Sequence, residues 1–255
     1  MSMPARPCDR RTGATASRGA MATLCALAAL GAAVLLDQRA SAAELEPFQA
    51  SYLWIWHGAE IALTRLDLAH QGDTWVYSSV NEPRGLGHLY PMRPRLQSSM
   101  RIGPQGVQPL SFQATGSGSA HDADVRFDWD GARATGTYEG TTLDLPIKPG
   151  VQDDLSVQIA LLVQLQQGKN PQRALEIDKN SVREYDYTRE GQETLDTPLG
   201  RIDTIIYSSH HPGSPRTTRF WCAPSEGYIP LQVQQQLNNK VEWTMKIQSL
   251  TPSAK

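Results

Sequence analysis

Polar and apolar residues alternate along most of this chain, and short turn signals cut the alternation into pieces. The last piece shows it clearly: Val241, Trp243, Met245 and Ile247 share one parity, and Glu242, Thr244, Lys246 and Gln248 share the other. A period of two puts successive side chains on opposite faces of a strand, one face for a core and one for water. Residues 123–129 do the same, with Val125, Phe127 and Trp129 set against Asp124, Arg126 and Asp128. Asp130-Gly131 follows, a strong hairpin signal. Further turns are read at Gln71-Gly72-Asp73, Gly103-Pro104-Gln105-Gly106, Lys179-Asn180, Glu190-Gly191, residues 197–200 and Asn238-Asn239. The pattern predicts about a dozen strands in an all-β chain. They are expected to form a large curled antiparallel sheet or open barrel, because curling protects sheet edges. There is no Gly-rich phosphate loop, no strand–helix–strand rhythm and no internal repeat.

One segment breaks the pattern. In residues 149–168, PGVQDDLSVQIALLVQLQQG, Leu155, Ile159, Leu162 and Leu165 fall at helical spacing. Gly168 and Pro171 end the run, so one internal helix is predicted over about residues 153–167. Asp153 or Asp154 can cap it by accepting first-turn N–H groups and complementing the helix dipole. The competing reading makes these acids the acid or base of a hydrolase acting on envelope glycan or lipid. Adjacent helical residues diverge by about 100°, so the two acids do not easily share one substrate atom. A glycosidase needs carboxyls facing each other across about 5–9.5 Å, for which Asp154 and Glu226 are the pair considered.

The N-terminus reads differently. Arg6, Arg10, Arg11 and Arg18 precede an apolar run over residues 24–36, and Ala40-Ser41-Ala42-Ala43 follows. This is the layout of a secretory signal cleaved after Ala42 or Ala43, with export to the periplasm, a retained anchor being the alternative. Residues 1–43 are therefore the expected signal and 44–255 a single β-rich domain. That domain keeps 19 Lys and Arg against 24 Asp and Glu, a net charge of −5. An acidic balance speaks against nucleic acid or an anionic membrane as partner. Cys8 and Cys25 go with the signal, so Cys222 stands alone and no disulfide is expected within the mature chain.

The order Gln152-Asp153-Asp154-Leu155-Ser156, then Thr197-Pro198-Leu199-Gly200, then Phe220-Trp221-Cys222-Ala223 with Tyr228-Ile229-Pro230-Leu231, resembles the DUF3108 family, exported bacterial proteins of unassigned function. Gly85-Leu86 fits the same series. The resemblance runs over about residues 48–250. It implies a β-rich periplasmic domain, similar in architecture to the curled-sheet lipoprotein carriers that hold acyl chains. It carries over no catalytic residue.

The chemistry points the same way. His210-His211 and His121-Asp122 could supply metal ligands, but adjacent residues in a strand face opposite sides, and no metal or cofactor is expected. No G-x-S-x-G elbow is present. Six tryptophans, at 54, 56, 75, 129, 221 and 243, remain in the mature chain. Trp54 and Trp56 are candidates to line a ligand cavity, with Leu86, Leu89, Tyr90 and Arg93 of the loop 83–94 over its entrance. The expected role is non-enzymatic: holding a lipid, an acyl chain or another apolar or amphipathic envelope component, or meeting an envelope protein.

Overall fold

A computed structural model describes residues 45–89 and 92–252; the expected signal lies outside them. The described residues fall in a unit spanning Ser41–Lys255. The chain starts with a meander: β1 (Phe48–Trp56), β2 (Ala59–Gln71), β3 (Thr74–Pro83), β4 (Arg95–Gly103) and β5 (Gly106–Thr115). It continues through β6 (Ala123–Asp128), β7 (Arg133–Tyr138), β8 (Thr141–Pro146) and the two-residue β9 (Val151–Gln152). The helix α1 (Ser156–Gln166) precedes β10 (Arg173–Asp178), β11 (Ser181–Thr197) and β12 (Gly200–His210). The last three strands are β13 (Arg216–Ala223), β14 (Ile229–Leu237) and β15 (Lys240–Pro252).

Among the described residues all fifteen strands belong to one sheet, in the order β8-β7-β6-β5-β4-β3-β2-β1-β15-β14-β13-β12-β11-β10-β9. Each neighbouring pair comes from a hairpin or short loop, apart from two. The antiparallel pair of β1 and β15 joins the first strand to the last and sits at the centre of the sheet. The parallel pair of β9 and β10 brackets α1. The free edge at β9 turns back toward the N-terminal half, where Gln152 Nε2 donates to the Val107 carbonyl of β5 at 2.9 Å. The sheet is thus the curled, barrel-like one that the alternation predicts.

α1 fills it. Val157, Ile159, Leu161, Leu162, Val163 and Leu165 are all buried, so the helix is apolar around most of its circumference, as an enclosed helix must be. Ile159 and Leu162 join the main cluster with Phe48, Tyr52, Leu68, Met100, Phe112, Val125 and Ile247. Leu161 and Leu165 form a second one with Tyr207 and Cys222. The Cys222 thiol is pushed up to about 12 by burial, which removes the thiolate needed for reactivity.

Two local readings are corrected. The regular helix is shorter than expected, because residues 153–155 form the capping turn before Ser156. Glu190-Gly191 is no hairpin turn but a bulge, where the register of β11 against β12 shifts between Arg189 and Gly191. Gly in a strand signals a bulge as well as a turn, and only pairing separates the two. The other turns follow side-chain chemistry. Asn238 and Asn239 both take positive φ, as a tight two-residue hairpin requires. At Thr197, the hydroxyl accepts the Leu199 N–H at 3.1 Å and donates to the Gly200 carbonyl at 2.8 Å.

Candidate functional site

The start of α1 is a dense polar knot. Asp153 Oδ1 accepts the N–H groups of Leu155 at 2.9 Å and Ser156 at 2.8 Å. Its Oδ2 accepts the Ser98 hydroxyl of β4 at 2.7 Å. In return the Asp153 N–H donates to Ser156 Oγ at 2.8 Å, a reciprocal arrangement of the capping-box kind. Burial raises the Asp153 carboxyl, and the bonds from Ser156, Ser98 and Leu155 pull it back down.

Asp154 faces elsewhere. Both of its carboxyl oxygens accept the Tyr138 hydroxyl of β7, at 2.7 and 2.8 Å. Its other neighbour is Glu176 of β10, whose carboxyl feels the charge of Asp154. Two carboxylates held close together in a buried site repel, so the proton is favoured. Accordingly both are raised well above the usual carboxylate range. Burial comes first for each; for Glu176 the charge of Asp154 follows, and for Asp154 the charges of Asp153, Asp178 and Glu139 oppose the lowering bond from Tyr138. Around this pair, Arg183 holds Asp178 at 2.6 Å and Lys179 holds Glu139 at 3.2 Å. Glu226 is at the opposite end of the helix, beside Gly227, whose carbonyl accepts Gln166 Nε2 at 2.9 Å. At 1.5 Å of rise per residue that puts it roughly 15–20 Å from Asp154, beyond the span of a glycosidase pair.

A second region is apolar. Strand alternation and register put Tyr52, Trp54 and Trp56 on the inner face of β1, opposite Ile247, Met245 and Trp243 of β15. The same face continues through Val233 of β14, which pairs with Met245, and Phe220 of β13, which pairs with Val233. Tyr187 of β11 stacks on Phe220 with ring centroids 6.4 Å apart. Tyr187, Phe220 and Met245 still touch the buried clusters. Trp54, Trp56, Val233 and Trp243 belong to neither cluster. Trp54 and Trp243 meet edge to face at 5.5 Å. Trp243 Nε1 donates to Gln235 Oε1 at 3.1 Å, whereas Trp54 Nε1 is buried without a partner. The result is an aromatic mouth at one end of the curled sheet.

The loop after β3 borders this mouth. Arg84 N–H donates to the Ile61 carbonyl at 2.8 Å, and Ile61 lies in β2 beside Ala62, the partner of Trp54. Gly87 lies so close that a Cβ there would come within 1.8 Å of the Ile61 carbonyl oxygen. On the far side, Arg93 N–H donates to the Gly116 carbonyl at 2.8 Å and Asn81 N–H to the Pro94 carbonyl at 3.0 Å. Leu86 and Leu89 are left 60 % and 78 % exposed, and Arg93 is exposed as well. Tyr90 lies outside the described residues.

The candidate residues thus divide between two places: Asp153 and Asp154 at the helix start, and Trp54, Trp56, Leu86, Leu89 and Arg93 around the mouth. Sequence reasoning missed Tyr138 and Glu176, which nothing local marks out. It also missed the inward roles of Phe220, Val233 and Trp243, whose alternation was visible but whose inner parity was not. Among the described residues no group of three or more His, Cys, Asp and Glu side chains is placed to hold a metal ion. His211 is engaged with its own surroundings, its Nδ1 lying 2.9 Å from the Glu184 carbonyl oxygen. A separate groove of about 590 Å³ lies between β11, β12 and residues 224–225, lined by Glu193, Arg201, Asp203 and Thr204 among others. Glu193 is already committed there, accepting Trp221 Nε1 at 2.6 Å.

The family model described as "Protein of unknown function (DUF3108)" matches residues 48–245. No curated protein matches the chain. Among solved structures, a beta-barrel-like protein of domain of unknown function DUF1849 from Brucella abortus is similar at a TM-score of 0.52 with 12% identity, over 83% of this chain and 99% of that one. A putative exported protein with a YmcC-like fold from Bacteroides fragilis gives 0.31 and 10%, over 82% and 97% of the two chains. MucB in complex with MucA gives 0.19 and 10%, over 85% and 96%. Only the first reaches a score at which the fold is shared, and it is shared as a β-barrel-like fold.

Proposed function

Because the chain belongs to the DUF3108 family, and the mouth of its curled sheet carries half-buried aromatic side chains that lie outside its core clusters, we propose that it is a non-enzymatic envelope protein that holds an apolar or amphipathic ligand in that mouth. In this reading residues 1–43 are a cleaved export signal and 44–255 the mature periplasmic domain. The observation that carries it is the row Phe220–Val233–Met245–Trp54, an inner face that is only partly buried. Inner faces of curled sheets are filled either by the protein's own side chains or by a ligand. The unpartnered Trp54 Nε1 adds a donor beside apolar walls, which suits an ester or amide oxygen near an acyl chain.

The hydrolase alternative draws on Asp153 and Asp154. Asp153 is buried and spends both carboxyl oxygens on Leu155, Ser156 and Ser98. Asp154 spends both of its oxygens on Tyr138. Those bonds support a structural use of the two acids. The test is native mass spectrometry of protein released from periplasm without detergent, followed by organic extraction. A copurifying lipid-sized mass that disappears in Trp243→Ser is the expected result. A bare mass for the unaltered protein under gentle conditions would remove the ligand and leave an envelope partner protein as the reading.

A further inference from the structure

Every exposed large apolar side chain among the described residues, namely Trp56, Leu86, Leu89, Met92 and Val241, lies at the same end of the sheet. Trp56 ends β1, and its partner Trp243 is two residues from Val241 at the start of β15. Leu86, Leu89 and Met92 belong to the loop clamped onto β2 next to the partner of Trp54. Scattered exposed hydrophobics need no explanation, but a set confined to one rim does.

The charge on this rim runs against that of the chain. No Asp or Glu occurs between Glu82 and Asp122, and the interval holds Arg84, Arg93, Arg95 and Arg101. Arg84, Arg93 and Arg95 are exposed and make no ion pair among the described residues. The nearest acids are largely spoken for: Glu82 pairs with Arg65, and Glu242 with Arg216 at 3.3 Å, which leaves Glu60 exposed. The backbone bonds at both ends of the loop and the tight seat of Gly87 hold these side chains outward. No helix among the described residues is long and apolar enough to cross a membrane.

We infer that the rim formed by Trp56, Leu86, Leu89, Met92 and Val241 with Arg84, Arg93 and Arg95 docks on an anionic lipid bilayer surface, turning the aromatic mouth toward the lipid. Apolar side chains enter the headgroup boundary and arginines meet lipid phosphates, the two contributions that together give stable interfacial attachment. The inference goes beyond the ligand-holding reading, since the rim would attach whether or not the mouth is occupied.

The experiment is flotation of the processed protein with vesicles of phosphatidylcholine, with and without phosphatidylglycerol. Binding is expected only to the phosphatidylglycerol vesicles, weakening as salt is raised. Arg84→Gln, Arg93→Gln and Arg95→Gln together should weaken it on the order of 100-fold. Leu86→Ser with Leu89→Ser should weaken it about tenfold or more, with unchanged circular dichroism. Equal binding to both vesicle types, no binding to either, or attachment that requires an added envelope protein would each overturn the inference. Trp243→Ser separates it from the ligand reading: loss of an extractable lipid with flotation intact supports both, and flotation by a protein that never yields a lipid keeps the rim and sinks the holder.

Discussion

At the start of α1 the Asp153 carboxyl is buried with both oxygens hydrogen-bonded, beside a Gln152 Oε1 that has no partner, while at the mouth Trp54 and Trp243 are half-buried and pack on each other outside the main core. Asp153 is 1 % exposed and has hydrogen bonds from β4 and from its own turn. Trp56, at the other extreme, is 45 % exposed. A buried carboxyl without those bonds would cost several kcal/mol, so its surroundings are fixed by stability. An exposed indole costs little and does little for folding, so its position is free to serve a contact. The contrast teaches which of the two regions the fold requires and which it merely tolerates.

The widest gap should come from Asp153→Ala. It strips the cap from the helix and leaves the Ser98 hydroxyl and two first-turn N–H groups short of a partner, a loss of about 3 kcal/mol. Urea unfolding followed by far-ultraviolet circular dichroism measures it; a shift below about 1 kcal/mol would mean that the turn holds itself without the carboxylate. The next effect is one of pH. Asp154 and Glu176 bind protons more tightly in the fold than in the unfolded chain, where carboxyls titrate near pH 4. Their contribution is therefore complete at low pH and is lost as pH rises through about 7 to 8, where the pair titrates. The unfolding midpoint should fall between about pH 5 and about pH 9, and Glu176→Gln should flatten that slope. A midpoint that rises over the same interval would show that the pair is not protonated in the fold. The smallest effect belongs to the rim. Trp56→Ser should change stability by no more than about 0.5 kcal/mol, and a larger loss would make Trp56 part of the core after all.

Much of this was readable along the chain. The parity of Val241, Trp243, Met245 and Ile247 marks a strand, Asn238-Asn239 marks its turn, and the apolar run after Asp153 marks the helix, because each signal is carried by residues close in sequence. Glu190-Gly191 misled for the same reason: a bulge and a turn look alike until a partner strand is in place. Glu176 was invisible because a single Glu in a short strand gains its significance only from Asp154 and Tyr138, brought to it by the curl of the sheet.

By itself, then, the sequence determined an all-β chain with one helix and a capping acid, since alternation, turns and caps are set by local sterics and hydrogen bonds. Tertiary structure alone decided which parity faces inward, how far α1 fills the interior, and that Trp56, Leu86, Leu89 and Val241 share one rim. Those outcomes depend on β1 pairing with β15, a contact between strands at opposite ends of the described chain, and no local pattern encodes a pairing of that range.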